Sequence, residues 1–230
     1  MAKPNPSFIV FLFVLVFEVM DTLNILFGGV EKVRMIRLFL FNSEITFDIL
    51  SICEKLKIEK RIAEREIVIL LKANLIKKEK VVKIVSKKVR GKIKEKKFNV
   101  NGYILNNDFP YIFHLKQLLI NSQNLNKSDI VKKLSNVGKI KLIIISGVFI
   151  ENNESRVDIL LVGNNIKKGS LGNIIKSMEA ELGRDISYAF FETPDFQYRI
   201  EMCDKLVRDI IDYPHSVLLN KLPFPLISNK

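Results

Sequence analysis

The chain has 230 residues, 48% of them hydrophobic and 27% charged, with a formal net charge of +12, two cysteines and two histidines. That hydrophobic content excludes a globally disordered chain, and the sparse, distant cysteines and histidines give neither a disulfide framework nor metal-type spacing. The charge is polarised: residues 1–136 carry 25 basic and 13 acidic side chains, a net +12, whereas residues 137–230 carry 12 of each. A basic front half joined to a neutral back half implies a dedicated polyanion-binding module.

Residues 1–19 hold an apolar run, Phe8–Phe17, closed by Glu18. A membrane span needs about 20 apolar residues, and no small-residue cleavage site follows the run. The favoured reading is a misassigned extension ahead of a start at Met20; a buried strand and a membrane-interacting tail are the alternatives. The chain is expected to be cytoplasmic, without a membrane partner.

Val30–Phe41 reads as an amphipathic helix, with Val33, Ile36 and Leu40 inside and Lys32, Arg34 and Arg37 interleaved. Asn42-Ser43 breaks it, Phe47–Leu56 reads as a second helix, and Lys57–Glu59 as a polar turn. Lys60–Ala73 is expected to form the third helix, with Ile62, Ile67, Leu70 and Leu71 facing a core. Arg61, Arg65, Val68 and Lys72 fall at i, i+4, i+7 and i+11, one stripe on the other side. Read blandly, this is a solvated face with Glu64 and Glu66 as ion-pair partners. Lys77–Lys97 then places eleven Lys/Arg against two Glu in twenty-one residues, alternating with apolar residues about Gly91. This predicts a hairpin with a charged tip. Lysines also protect exposed strand edges, but eleven exceed that need. A helical pair followed by a basic hairpin is a winged helix-turn-helix arrangement, whose usual partner is double-stranded DNA. The candidate DNA-binding residues are Arg61, Arg65 and Lys72 on the helix and Lys87, Lys88, Arg90, Lys92 and Lys94 on the wing.

Asn99–Asn107 reads as turn-rich. Phe109-Pro110 opens a helix to about Ser122, and Lys127–Asn136 forms another. Their apolar positions Ile112, Phe113, Leu115, Leu118 and Leu119 suit docking of two domains or pairing with a second subunit; a homodimer is expected, since such regulators bind symmetric half-sites. From Gly138 strands and helices alternate: Ile140–Ser146, Val157–Val162, Leu171–Leu182 capped by Ser170 and ended by Gly183, Ile186–Phe191, Asp195–Asp212 and Ser216–Leu219. The predicted boundaries are an extension at 1–19, the winged domain at 20–101, a helical linker at 102–137, an α/β domain at 138–222 and a tail at 223–230.

Ser146-Gly147 after the first of these strands, and Ser155-Arg156-Val157-Asp158 entering the second, resemble the minimal nucleotidyltransferase superfamily. Its members carry a Gly-Ser pair, an Asp-x-Asp and a third carboxylate, which together hold divalent metals around a nucleotide's phosphates. Here the pair is inverted, Arg156 replaces the first Asp, and the third position falls near Ser187, with Asp185 two residues earlier. The resemblance implies a vestigial nucleotide site at Ser146, Gly147, Arg156 and Asp158, with no catalytic residues, metal or cofactor. Segments LNILFGGVEKVRMIRLFLFN, GKIKLIIISGVF and RVDILLVG are similar to bacterial regulators that fuse an ArsR-type winged helix to such a degenerate domain. The expected fold is thus an α+β winged helix-turn-helix followed by a small α/β nucleotidyltransferase-like domain. The expected function is transcriptional regulation, the second domain sensing a nucleotide or binding a protein. A nucleotidyltransferase-type enzyme and an antitoxin-like interaction module are the competing readings.

Overall fold

A computed structural model describes residues 22–89, 92–120, 127–150, 152 and 154–226, excluding the side chains of residues 81, 83–89 and 92–97. Among the described residues the protein is mixed α/β with two sheets, and the chain forms two compact units parted between Ile112 and Phe113. The proposed extension at 1–19 lies outside the described residues, and among the described residues no helix is long and apolar enough to cross a membrane.

Among the described residues, the first elements of the first unit are α1 (Thr22–Leu26) and α2 (Val30–Phe41). The alternation of apolar and basic residues in α2 predicts an amphipathic helix, yet it is buried nearly all round: Met35, Leu38 and Phe39 are fully enclosed and Arg37 is only 8% exposed. The cause is that α1, the two following helices and a strand all pack against it. Asn42 ends α2, its side-chain amide donating to Leu38 O at 2.7 Å and so satisfying a terminal carbonyl. Phe47-Asp48, predicted as helix, forms instead a short strand, β1, with the ring of Phe47 edge-on to Phe39 at 6.0 Å. The Asp48 carboxylate then caps α3 (Ile49–Leu56), accepting from Ser51 N–H at 3.2 Å. Lys57, in the left-handed region at φ 52°, closes α3, and α4 (Lys60–Lys72) follows.

Beyond α4 the long strands β2 (Ile76–Val89) and β3 (Lys92–Leu105) pair antiparallel from Ile76↔Leu105 to Val89↔Lys92. The predicted turn-rich stretch at Asn99–Asn107 is therefore largely strand. Its Asn and Gly residues have poor strand propensity, but β3 is paired on both sides there, with β2 throughout and with β1 at Tyr103 and Gly102. The sheet order is β1-β3-β2.

α5 (Ile112–Ile120) starts at the boundary, and all of it but Ile112 belongs to the second unit, with α6 (Lys127–Ser135), β4 (Lys139–Ile145), β5 (Ile159–Asn164), α7 (Lys168–Leu182), β6 (Tyr188–Glu192), α8 (Thr193–Glu201), α9 (Lys205–Asp212) and β7 (Ser216–Asn220). The sheet order is β6-β5-β4-β7, antiparallel except for β5 and β6, whose parallel pairing requires the crossover through α7. The near-continuous Val/Ile/Leu runs of β4 and β5 occupy the middle, where both faces are covered. On one face Leu142, Ile144, Leu160 and Val162 pack with Phe196, Val207 and Ile210 of α8 and α9. By the two-residue period of a strand, the equally buried Ile143, Ile145, Ile159 and Leu161 occupy the other.

Two local predictions change. α7 starts at Lys168, so Ser170 lies within its first turn and supplies no cap, whereas Gly183 ends it as expected at φ 74°. The single helix predicted over Asp195–Asp212 is two. Cys203, at φ 54°, breaks the first, and the Asp204 carboxylate begins the second by accepting from Leu206 and Val207 N–H at 3.0 and 3.2 Å. Leu160→Ala empties a fully enclosed position on the central strand, so it should lower unfolding free energy by about 2–5 kcal/mol in a urea titration.

Candidate nucleic-acid interface

Helix α4 owes its two-sided character to spacing. Ala63, Glu66, Ile67 and Leu70 form its buried side, while Arg61, Arg65, Val68 and Lys72 are all exposed, as the helical period predicts. Val68, at 49% exposure, is an apolar residue within an otherwise cationic stripe.

Glu66 is the departure from expectation. It belongs not to the solvated face but to the core side, 4% exposed. Its Oε1 accepts from Arg65 Nε–H at 3.0 Å and lies 2.9 Å from Arg65 Nη2, while Oε2 lies 3.7 Å from Lys32 Nζ on α2. A buried carboxylate is tolerated because two cations from two helices flank it. The sequence held the signal: Glu66 shares the three- and four-residue spacing of Ala63, Ile67 and Leu70. Glu64 pairs with Lys60 in the open, as the bland reading foresaw.

The turn after α4 is fixed by Leu75 N–H donating to Leu70 O at 3.0 Å, which delivers the chain into β2 within the same unit. Lys77, Lys78 and Lys80, at the root of the hairpin, are exposed. Further out, Lys87 stands opposite Lys94 and Lys92 opposite Val89, with Lys88 opposite Ile93. The side chains of these four predicted wing lysines, and Arg90 entirely, lie outside the described residues.

In the second unit the backbone brings Ser146, Gly147 and Asp158 together. Asp158 Oδ1 accepts from Val148 N–H at 2.7 Å and Oδ2 from Ser187 N–H at 2.8 Å. Main-chain bonds from Ser146 N–H to Asp158 O at 2.9 Å and from Asp158 N–H to Ser187 O at 2.7 Å complete the knot, and Ser146 Oγ donates to Val157 O. Gly147 takes φ 56°, and a Cβ there would overlap Asp158 Oδ1. Both carboxylate oxygens are thus engaged in tying the turn after β4 to the chain entering β6. Arg156 does not join them; it pairs with Asp209 of α9. Asp185 is exposed, and among the described residues no group of three His, Cys, Asp or Glu could hold a metal ion.

Both cysteines are free. Cys53 lies on α3, where burial, reinforced by Glu64, raises its thiol pKa and makes the reactive thiolate scarcer. Cys203, predicted on a helix, is exposed at the α8–α9 junction.

Compared with protein-family models, curated proteins and solved structures, the chain gives no match. Asp158→Ala should destabilise the second unit by about 2 kcal/mol or more, because it orphans two backbone N–H groups. Urea unfolding with and without magnesium checks this, and an equal loss in both is expected.

Proposed function

We propose that the protein is a DNA-binding transcriptional regulator whose first unit is a winged helix-turn-helix and whose second is a non-catalytic, nucleotidyltransferase-like sensing or interaction domain. The observation carrying this reading is that one compact unit joins a helix with an exposed cationic stripe directly to a lysine-dense antiparallel hairpin. The element order supports it: after the short α1 come a helix, a short strand, two helices, then two strands in the sheet order β1-β3-β2. In such an arrangement α4 enters the major groove, where Arg61, Arg65 and Lys72 reach base edges and phosphates, and the hairpin's Lys87, Lys88, Arg90, Lys92 and Lys94 grip the adjacent backbone. A homodimer would set two such units on symmetric half-sites.

The second unit supports a non-catalytic role because Asp158 spends both oxygens on backbone N–H groups and Arg156 is paired with Asp209. Transfer of a nucleotide would need carboxylates directed at metal ions.

Titration of fluorescent random duplex DNA tests the reading. Affinity should fall steeply between 50 and 200 mM salt, values typical of such assays. Replacing Lys87, Lys88, Arg90 and Lys92 together by alanine should weaken binding and reduce the log–log salt slope by about 3 to 4. Binding insensitive to salt, or absent, would defeat the proposal.

A further inference from the structure

Every charged residue of α4 except Glu66 is exposed, and Glu66 does not act alone. It engages the inner edge of the neighbouring Arg65 guanidinium, formed by Nε and Nη2, through Oε1, while Lys32 of α2 flanks its other oxygen. The Arg65 side chain is nonetheless 67% exposed, against 6% for that of Glu66. A buried group therefore grips one edge of the guanidinium of a largely exposed side chain, leaving the donors on Nη1 and the other N–H of Nη2 outside that contact. Among the described residues, neither Arg61 nor Lys72 of the same stripe has an ion pair with a buried carboxylate.

We propose that Glu66 is a positioning residue for base readout: it fixes the Arg65 guanidinium so that its outer edge meets O6 and N7 of a guanine in the major groove. This rests on the DNA-binding reading above and goes beyond it by dividing the stripe into two roles. A mobile cation suits a phosphate, which needs only charge. A base edge needs two donors at fixed separation and orientation, the arrangement of the commonest specific arginine contact. An exposed arginine loses rotamer freedom when it docks, and the contact with Glu66 removes part of that loss in advance. Lys32 of α2 places a second positive charge 3.7 Å from the other Glu66 oxygen, so two helices contribute to the charge environment of the carboxylate that holds Arg65. A lysine in place of Arg65 would present a point charge without the planar fork.

The test begins with selection of binding sites from a random duplex library using the full-length chain. Duplexes carrying each base at every selected position are then compared in competition. Arg65→Ala should abolish a guanine preference at one position of each half-site, and Glu66→Gln should reduce that same preference by roughly tenfold. Replacing the guanine by 7-deazaguanine, which lacks N7, should weaken wild-type binding there and leave Arg65→Ala indifferent. If Glu66→Gln weakens all duplexes alike and preserves the base ratio, Glu66 is only structural and the proposal fails. Should Glu66→Gln not fold, Arg65→Lys decides: at this exposed site it keeps the charge, and retention of the guanine preference would overturn the proposal. Salt-sensitive binding with no Arg65-dependent guanine sinks this inference alone, whereas no duplex binding at all sinks the DNA-binding reading with it.

Discussion

The double pairing of β3 is the constraint on which the first unit depends. Its root pairs with β2 on one side and with β1 on the other, so a strand late in the unit is tied to the two-residue strand between α2 and α3. That tie holds Phe47 against Phe39 and places Asp48 where its carboxylate begins α3. The short turn at Lys57–Glu59 then sets α4, and Leu75 hands the chain back to the hairpin. The exposed stripe and the basic strands are consequences of one closed circuit of hydrogen bonds and core contacts.

The second unit is organised by its central strands. β4 and β5 are buried on both faces, and the interior they create leaves little room for unpaired polar groups. Where the chain leaves β4 it must turn sharply, and the turn's N–H groups need acceptors. Asp158 supplies one oxygen to that turn and the other to the chain approaching β6. A residue that resembles a remnant metal ligand thus has a complete account as a structural brace.

What the sequence made legible was local. The three-to-four-residue spacing of Lys60–Ala73 defined both faces of α4, and alternation over Lys77–Lys97 defined the outer hairpin. α7 ended at Gly183, where αL geometry is favoured. What it hid depended on distant partners. Asn99–Leu105 looks like a turn until its two neighbouring strands are known, Phe47-Asp48 looks helical until β3 arrives beside it, and Arg37 looks solvent-facing until four elements enclose α2. The split between α8 and α9 was obscured because neither Gly nor Pro marks it; Cys203 adopts the positive φ instead. Of the candidate sites, Arg61, Arg65 and Lys72 were placed by period alone. Glu66 shares the spacing of the buried Ala63, Ile67 and Leu70, but its charge alone points to solvent, and the divergence of Arg156 from Asp158 depends on α9.

The hairpin has a further consequence through its length. Each strand has fourteen residues, and at roughly 3.4 Å per residue the pair extends about 45 Å from root to tip. β1 braces only the root, at Gly102 and Tyr103. On the DNA-binding reading, an arm of that reach exceeds one helical turn of duplex, about 34–36 Å. The footprint of each unit would then be asymmetric, a compact patch under α4 with a long protected track along one side. On that reading, the reach of the footprint along the duplex would be set by the length of the lysine-rich ribbon as well as by α4.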